Sequence, residues 1–251
     1  MRILRTRFGK DVVAEFLPPV RLNPKRPQKA VIFCSGMPSV PRHGALLEFF
    51  ARKGFWCFYP RYRGSWESSG RFLKYSPEED IKMVLERLPR GFKDLWSGKT
   101  YKIHPAETYL VAGSFGGPAG ILLTSDKRIK KVVAISPVVE WRAPSKAEPL
   151  VWLEKFVRQA FGEGYRFKSS DWRKLASGRF YNPMPLWKEV PGEKLLIYHA
   201  KDDESVRARE VVKFAKLTGA KLRLLRRGGH LSSPPIVFKH WPEIKKFFKS
   251  K

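Results

Sequence analysis

The sequence predicts an α/β protein with a mostly parallel central sheet and helices on both faces. Three observations lead there. From residue 29 onward, short continuous apolar runs alternate with longer amphipathic segments, the pattern of strands buried on both faces and joined by crossover helices. At AGSFGG (112–117) a strand-like run enters a turn of small residues and then a helix-like stretch. Finally, 251 residues with 43% hydrophobic content suit one large domain with a full core and are too apolar for a disordered chain.

The elements follow in order. ILRTRF and DVVAEFLP flank Gly9-Lys10 and read as a hairpin. Asn23-Pro24 and Arg26-Pro27 mark a loop. KAVIFCSG (29–36) is a buried strand ending in small residues, and HGALLEFFARKG (43–54) is a helix stopped by Gly54. FWCFYP (55–60) is the next strand. SPEEDIKMVLERL (76–88) opens a helix with Ser76 as cap, Pro77 at the first helical position and acids in the first turn. TYLVAGS (108–114), KKVVAISP (130–137), KLLIYHA (194–200) and AKLRLL (220–225) are further strands. SVRAREVVKFAKLTG (205–219) and PEIKKFF (242–248) are helices. Residues 138–190 break the rhythm. They are rich in Trp and Phe and hold no convincing parallel strand, so a lid inserted into the single domain 1–251 is expected there.

The composition narrows the function classes. Fifty Lys and Arg against 23 Asp and Glu give +27. Such an excess can serve a polyanion. Yet the basic runs RLNPKRPQK (21–29), KRIKK (127–131) and KKFFKSK (245–251) are short and far apart, and no nucleic-acid-binding signature accompanies them. A generally basic surface is therefore expected, without a specific nucleic-acid partner. No run of about 18 uncharged apolar residues exists. The charged, alternating N-terminus does not read as a signal peptide, so a cytoplasmic chain is expected. Cys34 and Cys57 lie in apolar runs and read as buried thiols. The histidines and cysteines lack zinc-site spacing, and no dinucleotide or Walker fingerprint is present. No cofactor is expected.

AGSFGG carries the chemistry. Ser114 sits in the pattern small-x-Ser-x-Gly between a strand and a helix, the context of a nucleophile elbow. There the hydroxyl must stand clear on a sharp turn while strand and helix backbones crowd together. Ala112 and Gly116, two residues to either side, are small enough to allow that. A Gly-rich turn opening a helix can instead cradle a phosphate; the strand–turn–helix setting favours the nucleophile.

On these residues the chain resembles the α/β-hydrolase superfamily, and within it the branch of prolyl-oligopeptidase-like peptidases and related esterases. The resemblance runs from about residue 29 to 250, with no preceding propeller to select substrates by size. YRGSWESSG (62–70) is similar to that branch's Y-R-G-x-G-x-S-x-G loop, with Trp66 in place of the second Gly, and is expected to be a packing turn. YHAKDDESV (198–206) resembles the H-G-x-x-D-x-x-V motif, which implies Asp203 as the triad acid and leaves His199 structural. Asp202 and Asp203 both follow the strand. The register favours Asp203, as does its place two residues before Ser205, a candidate helix cap; Asp202 is expected to bond backbone N–H groups. RRGGHLS (226–232) implies His230 as the general base, completing the order Ser–Asp–His. His43, His104 and His240 fit no such position. The oxyanion donors implied are the N–H of Phe115 and, with Ser35-Gly36 standing for the family's His-Gly, that of Met37; Pro38 cannot donate. The expected activity is hydrolysis of an acyl bond, foremost of a small or medium carboxylic ester. A small peptidase or thioesterase, or a non-catalytic protein binding an acidic partner, are the alternatives. The expected partner is a small acyl substrate, which the insertion's Trp141, Trp152, Phe156, Phe161, Tyr165, Phe167 and Trp172 would shape if several faced Ser114.

Overall fold

A computed structural model describes residues 1–21, 27–41, 43–143 and 145–250. The loop expected at Asn23-Pro24 and Arg26 falls outside the described residues. The chain opens with β1 (Leu4–Phe8) and β2 (Val12–Leu17), paired antiparallel across the Gly9-Lys10 turn. Then come β3 (Lys29–Cys34), α1 (Gly44–Arg52), β4 (Phe55–Pro60) and α2 (Glu78–Arg87). A two-residue ribbon, β5 (Phe92–Lys93) with β6 (Thr100–Tyr101), precedes β7 (Glu107–Gly113), α3 (Gly117–Leu122) and β8 (Ile129–Ile135). The inserted segment holds α4 (Leu150–Phe161) and α5 (Ser169–Arg173). It is followed by β9 (Leu195–Ala200), α6 (Ala208–Thr218), β10 (Lys221–Leu225), α7 (Ser233–Lys239) and α8 (Trp241–Lys249).

Eight strands form one sheet in the order β1-β2-β4-β3-β7-β8-β9-β10. It is parallel from β4 through β10 and antiparallel at the β1, β2 edge, so the expected fold class holds. The strands alternate faces with a period of two. Ala30, Ile32 and Cys34 of β3 join Leu110 and Ala112 of β7 under α2, α3 and α6, whereas Val31, Phe33, Tyr109 and Val111 join α1, α7 and α8 on the other side. Fully buried side chains such as Phe214 and Leu196 each stabilise by about 1.5–3 kcal/mol relative to exposure. Residues 138–190 add no strand to this sheet among the described residues; Tyr165 makes an isolated bridge to Ser65. No described helix is long and apolar enough to cross a membrane.

Two local expectations fail, and one helix was not foreseen. Ser76 does not cap α2; its hydroxyl bonds the Glu78 carboxylate, and the helix starts under Pro77. Ser205 does not cap α6, which starts three residues later at Ala208; its N–H is held by Asp203 instead. And α7 is a helix the sequence reading left unassigned; its two prolines lie at the helix start, where a missing N–H costs nothing.

Candidate active site

Parallel strands of one sheet end on one side, and loops leaving those ends converge. Ser114 follows β7, Asp203 follows β9 by three residues, and His230 lies five residues beyond β10. The structure brings all three together. His230 Nε2 lies 2.8 Å from Ser114 Oγ, and His230 Nδ1 lies 2.9 Å from Asp203 Oδ2. Since a carboxylate only accepts, Nδ1 carries the proton and Nε2 is left to accept from the serine hydroxyl.

The elbow is built by close packing. Ser114 has φ of 50°, a left-handed conformation that only surrounding structure sustains in a non-glycine residue. A Cβ on Gly116 would lie 2.1 Å from the Cys34 carbonyl oxygen. The crowding that demands a small residue at this position thus comes from the end of the neighbouring strand β3. Behind Ser114 stands Tyr181, which the sequence reading did not single out. Its hydroxyl donates to the Phe115 carbonyl at 2.7 Å, accepts from the Ala119 N–H at 3.3 Å, and its ring packs against Phe115 at 5.1 Å. No motif marks Tyr181; the only signal is an aromatic followed by Asn-Pro.

Asp203 is buried. Burial alone would raise its pKa, but His230 and the Val206 amide outweigh this and hold the carboxyl below its ordinary range. Oδ1 also accepts from the N–H groups of Ser205 at 3.0 Å and Val206 at 2.8 Å, so backbone fixes the carboxylate before the imidazole meets it. Asp202, its neighbour, points to the other loop. It accepts from the Gly229 N–H at 2.9 Å and the Gly228 N–H at 3.2 Å. Gly228 and Gly229 have φ of 152° and 57°, a bend suited to glycine, and Asp202 ties that bend to β9. On the far side of His230, the Leu231 N–H donates to Ser136 Oγ at 3.0 Å, a second anchor the sequence reading missed. His199 is buried and its Nε2 lies 2.9 Å from the Val206 carbonyl. Burial lowers its pKa, more than nearby Asp203 raises it, and its bond to Val206 braces the loop that carries Asp203. His43 packs its ring on Tyr59, and His240 on Tyr198, both away from Ser114.

A cavity of about 410 Å³ opens beside Ser114. Met37 and Phe115 line it together with Ser114, and Val139, Trp141 and Leu153 of the inserted segment form much of its apolar wall. Its rim is mixed in charge, with Glu148, Arg142 and Arg207. Of the seven aromatics singled out in the insertion, Trp141 lines the cavity. Tyr165, Phe167 and Trp172 are buried in the core, while Trp152 and Phe156 stack on each other at 5.0 Å on an exposed face of α4. Trp141 alone of the seven is thus placed to shape a substrate beside Ser114. The 62–70 loop packs as expected: Gly64 and Ser69 bond through their backbones, and the Tyr62 hydroxyl donates to the Ser35 carbonyl at 3.3 Å. Both cysteines are free and buried, with burial raising their thiol pKa values.

No protein-family model and no curated protein matches this sequence. Solved structures do. An acylaminoacyl peptidase of Pyrococcus horikoshii matches with a TM-score of 0.69 and 18% identity over 100% of this chain, which spans 41% of that one. The esterase Pf2001 of Pyrococcus furiosus matches with a TM-score of 0.67 and 16% identity, over 99% of this chain and 89% of the esterase. Est1E of Butyrivibrio proteoclasticus matches with a TM-score of 0.64 and 16% identity, end to end in both chains. Strand order, the elbow after β7 and this likeness agree: the chain has the α/β-hydrolase fold, in the form found in acylaminoacyl peptidases and esterases.

Proposed function

We propose that the chain is a serine hydrolase that cleaves carboxylic esters of small or medium size through an acyl-enzyme. The observation that carries this reading is the relay from Ser114 Oγ through the His230 ring to Asp203, with separations of 2.8 and 2.9 Å, beside a cavity that could hold a substrate. In this reading Ser114 Oγ attacks the carbonyl carbon while His230 Nε2 takes the hydroxyl proton. The tetrahedral oxyanion is stabilised by the N–H groups of Met37 and Phe115. His230 then gives the proton to the leaving alcohol, and the C–O bond breaks. Water enters, His230 accepts its proton, and the acid product leaves as Ser114 regains the hydrogen. Asp203, held ionised, keeps His230 in the productive tautomer and stabilises the imidazolium.

The apolar wall of Met37, Val139, Trp141 and Leu153 favours an uncharged acyl group over a charged one. Residues 138–190 act in this reading as a lid that sets the length of that group. A peptidase reading is favoured by one finding, the similarity to acylaminoacyl peptidase. A panel of p-nitrophenyl esters, acyl thioesters and aminoacyl p-nitroanilides separates the two. Short and medium esters should turn over fastest, and Ser114→Ala should abolish that turnover. Anilide turnover exceeding ester turnover would make the chain a peptidase. Equal rates for wild type and Ser114→Ala would remove the reading.

A further inference from the structure

The segment that bears Met37 is held by the insertion. After Cys34 the chain leaves the β3 ladder and turns sharply through residues 35–39, riding directly on the nucleophile. A Cβ on Gly36 would lie 3.2 Å from the Ser114 Cβ, so a shift of this turn is felt at the reacting hydroxyl. Pro38 has no N–H with which to anchor the turn. Its anchors are side chains. The Ser39 hydroxyl donates to the Gly36 carbonyl at 2.9 Å and closes the turn. Beyond it, both polar backbone groups of Ser39 are taken by two aromatic side chains. The Ser39 N–H donates to the Tyr165 hydroxyl at 3.1 Å. That hydroxyl donates to the Ser39 carbonyl at 3.3 Å, and the Trp66 indole N–H donates to the same carbonyl at 3.0 Å.

Those two side chains are themselves rigidly placed. The Trp66 N–H donates to the Gly164 carbonyl at 2.9 Å, the Arg166 N–H to Gly64 at 2.8 Å and the Phe72 N–H to Arg166 at 2.7 Å. Loop 62–72 and segment 162–167 are therefore knitted through their backbones. Tyr165 is buried, with Phe72 edge-on at 5.2 Å and Phe161, the last residue of α4, at 5.8 Å. Burial raises the phenol's pKa, so it stays a neutral hydroxyl able to donate and accept at once.

We propose that Tyr165 and Trp66 are positioning residues that clamp the backbone of Ser39 and thereby set the Met37 N–H against Ser114, so that the inserted segment and the 62–72 loop together hold the oxyanion hole in shape. This rests on the serine-hydrolase reading and deepens it. It also gives a role to Trp66, which stands where the resembling peptidases carry glycine: a glycine there would leave the Ser39 carbonyl with one donor.

Tyr165→Phe keeps the ring and removes the hydroxyl. Deleting an oxyanion donor outright costs about 10²–10³ in kcat, and loosening its support should cost less, about tenfold. KM for a p-nitrophenyl ester should stay within about twofold, since ground-state contacts are untouched. Affinity for an alkyl trifluoromethyl ketone, whose adduct with Ser114 carries an oxyanion, should fall by the same factor as kcat/KM. Trp66→Phe should give a smaller loss of the same kind, because Tyr165 still donates to the Ser39 carbonyl. It carries the test alone if Tyr165→Phe does not fold. The double variant should lose more than the product of the two single losses, because each donor covers for the other at the Ser39 carbonyl and the double variant removes both. Unchanged kcat and ketone affinity in these variants, with wild type active, would overturn the clamp and leave the hydrolase reading standing. A fall in Tm with kcat per titrated active site unchanged would also overturn it, because it would mark a merely structural role. A wild type that neither hydrolyses esters nor binds the ketone would overturn both.

Discussion

The strand framework and the inserted segment both border Ser114, but they are held together by different means. In the framework, β3, β7, β9 and β10 carry one face each to two helical layers, and the ladder satisfies their backbones. Ser114, Asp203 and His230 inherit their places from where those strands end. The insertion has no ladder to lean on. Beside its helices and a few backbone bonds to neighbouring loops, several of its backbone groups are met by the polar tips of aromatic side chains: the Trp141 indole N–H donates to the Tyr181 carbonyl at 2.7 Å, and the Trp172 indole N–H to Leu150 at 3.0 Å. Tyr181 and Tyr165 do the same across to the elbow and the Met37 turn. The aromatic wealth of this segment serves mainly as hydrogen-bonding pegs with an apolar body, and only secondarily as substrate surface.

The contrast can be broken most directly at the two aspartates after β9. Asp203→Asn should favour the wrong His230 tautomer and cost about 10⁴ in kcat. Asp202→Asn keeps an oxygen for one of the Gly228 and Gly229 N–H groups, which now use one carboxylate oxygen each, and should cost less than about tenfold on the same ester. The reverse ranking would move the acid to Asp202.

Next in size are changes of stability, read by urea unfolding. Gly116→Ala sets a methyl against the Cys34 carbonyl, backbone that cannot yield, and should cost about 3 kcal/mol or prevent folding. Within the insertion, Trp172→Ala removes a ring that is 2% exposed and should cost about 3–5 kcal/mol. Trp152→Ala, at 47% exposed, should cost no more than about 0.5 kcal/mol. Equal costs for these two tryptophans would mean that α4 is covered on its outer face. Neither change should be compared with Leu153→Ala on stability alone. That residue lines the cavity, and its loss should also shift preference towards longer acyl chains.

The smallest effect expected is on acid stability. Glu107 and Glu243 are both held at about 2, against 4.5 ordinarily. Burial opposes this shift in each, and Lys130, Tyr109 and Lys29 for the first, and Lys221, Arg223 and Tyr198 for the second, overcome it. A depressed carboxylate pKa stabilises the fold above its unfolded value and ceases to do so as pH falls through the folded one. Unfolding midpoints should therefore drop between about pH 4.5 and 2, and Glu243→Gln should flatten the lower part of that fall.

What could be read in advance follows the same division. Strands such as FWCFYP and TYLVAG announce themselves because burial on both faces demands unbroken apolar runs. The elbow was legible because the residues that answer its steric demands lie within five positions, Ala112 to Gly116, even though the crowding at Gly116 comes from the end of β3. Asp203 and His230 were legible chiefly through resemblance, since the one local argument for Asp203 over Asp202, a cap at Ser205, is not what the structure shows. Tyr181, Ser136 and the clamp of Tyr165 on Ser39 were not legible. Each joins residues between 66 and 126 positions apart through a single side-chain atom, and no periodicity records such a contact. Which of the insertion's aromatics pack, as Phe167 and Trp172 do, was not legible for a related reason: an aromatic in an irregular segment has no repeating pattern to say which way it faces.

The central claim is that Ser114 is an activated nucleophile, and the most direct measurement is the site of covalent labelling by a fluorophosphonate. Attack by Ser114 Oγ on phosphorus forms the P–O bond, fluoride leaves, and His230 takes the proton, so labelling needs the relay and not merely an exposed hydroxyl. Peptide mapping by mass spectrometry should place the phosphonyl group on Ser114 alone, at one equivalent per chain, and find none in folded Ser114→Ala or His230→Ala. Labelling at another serine that persists in Ser114→Ala would contradict the account, as would a folded wild type that takes up no label.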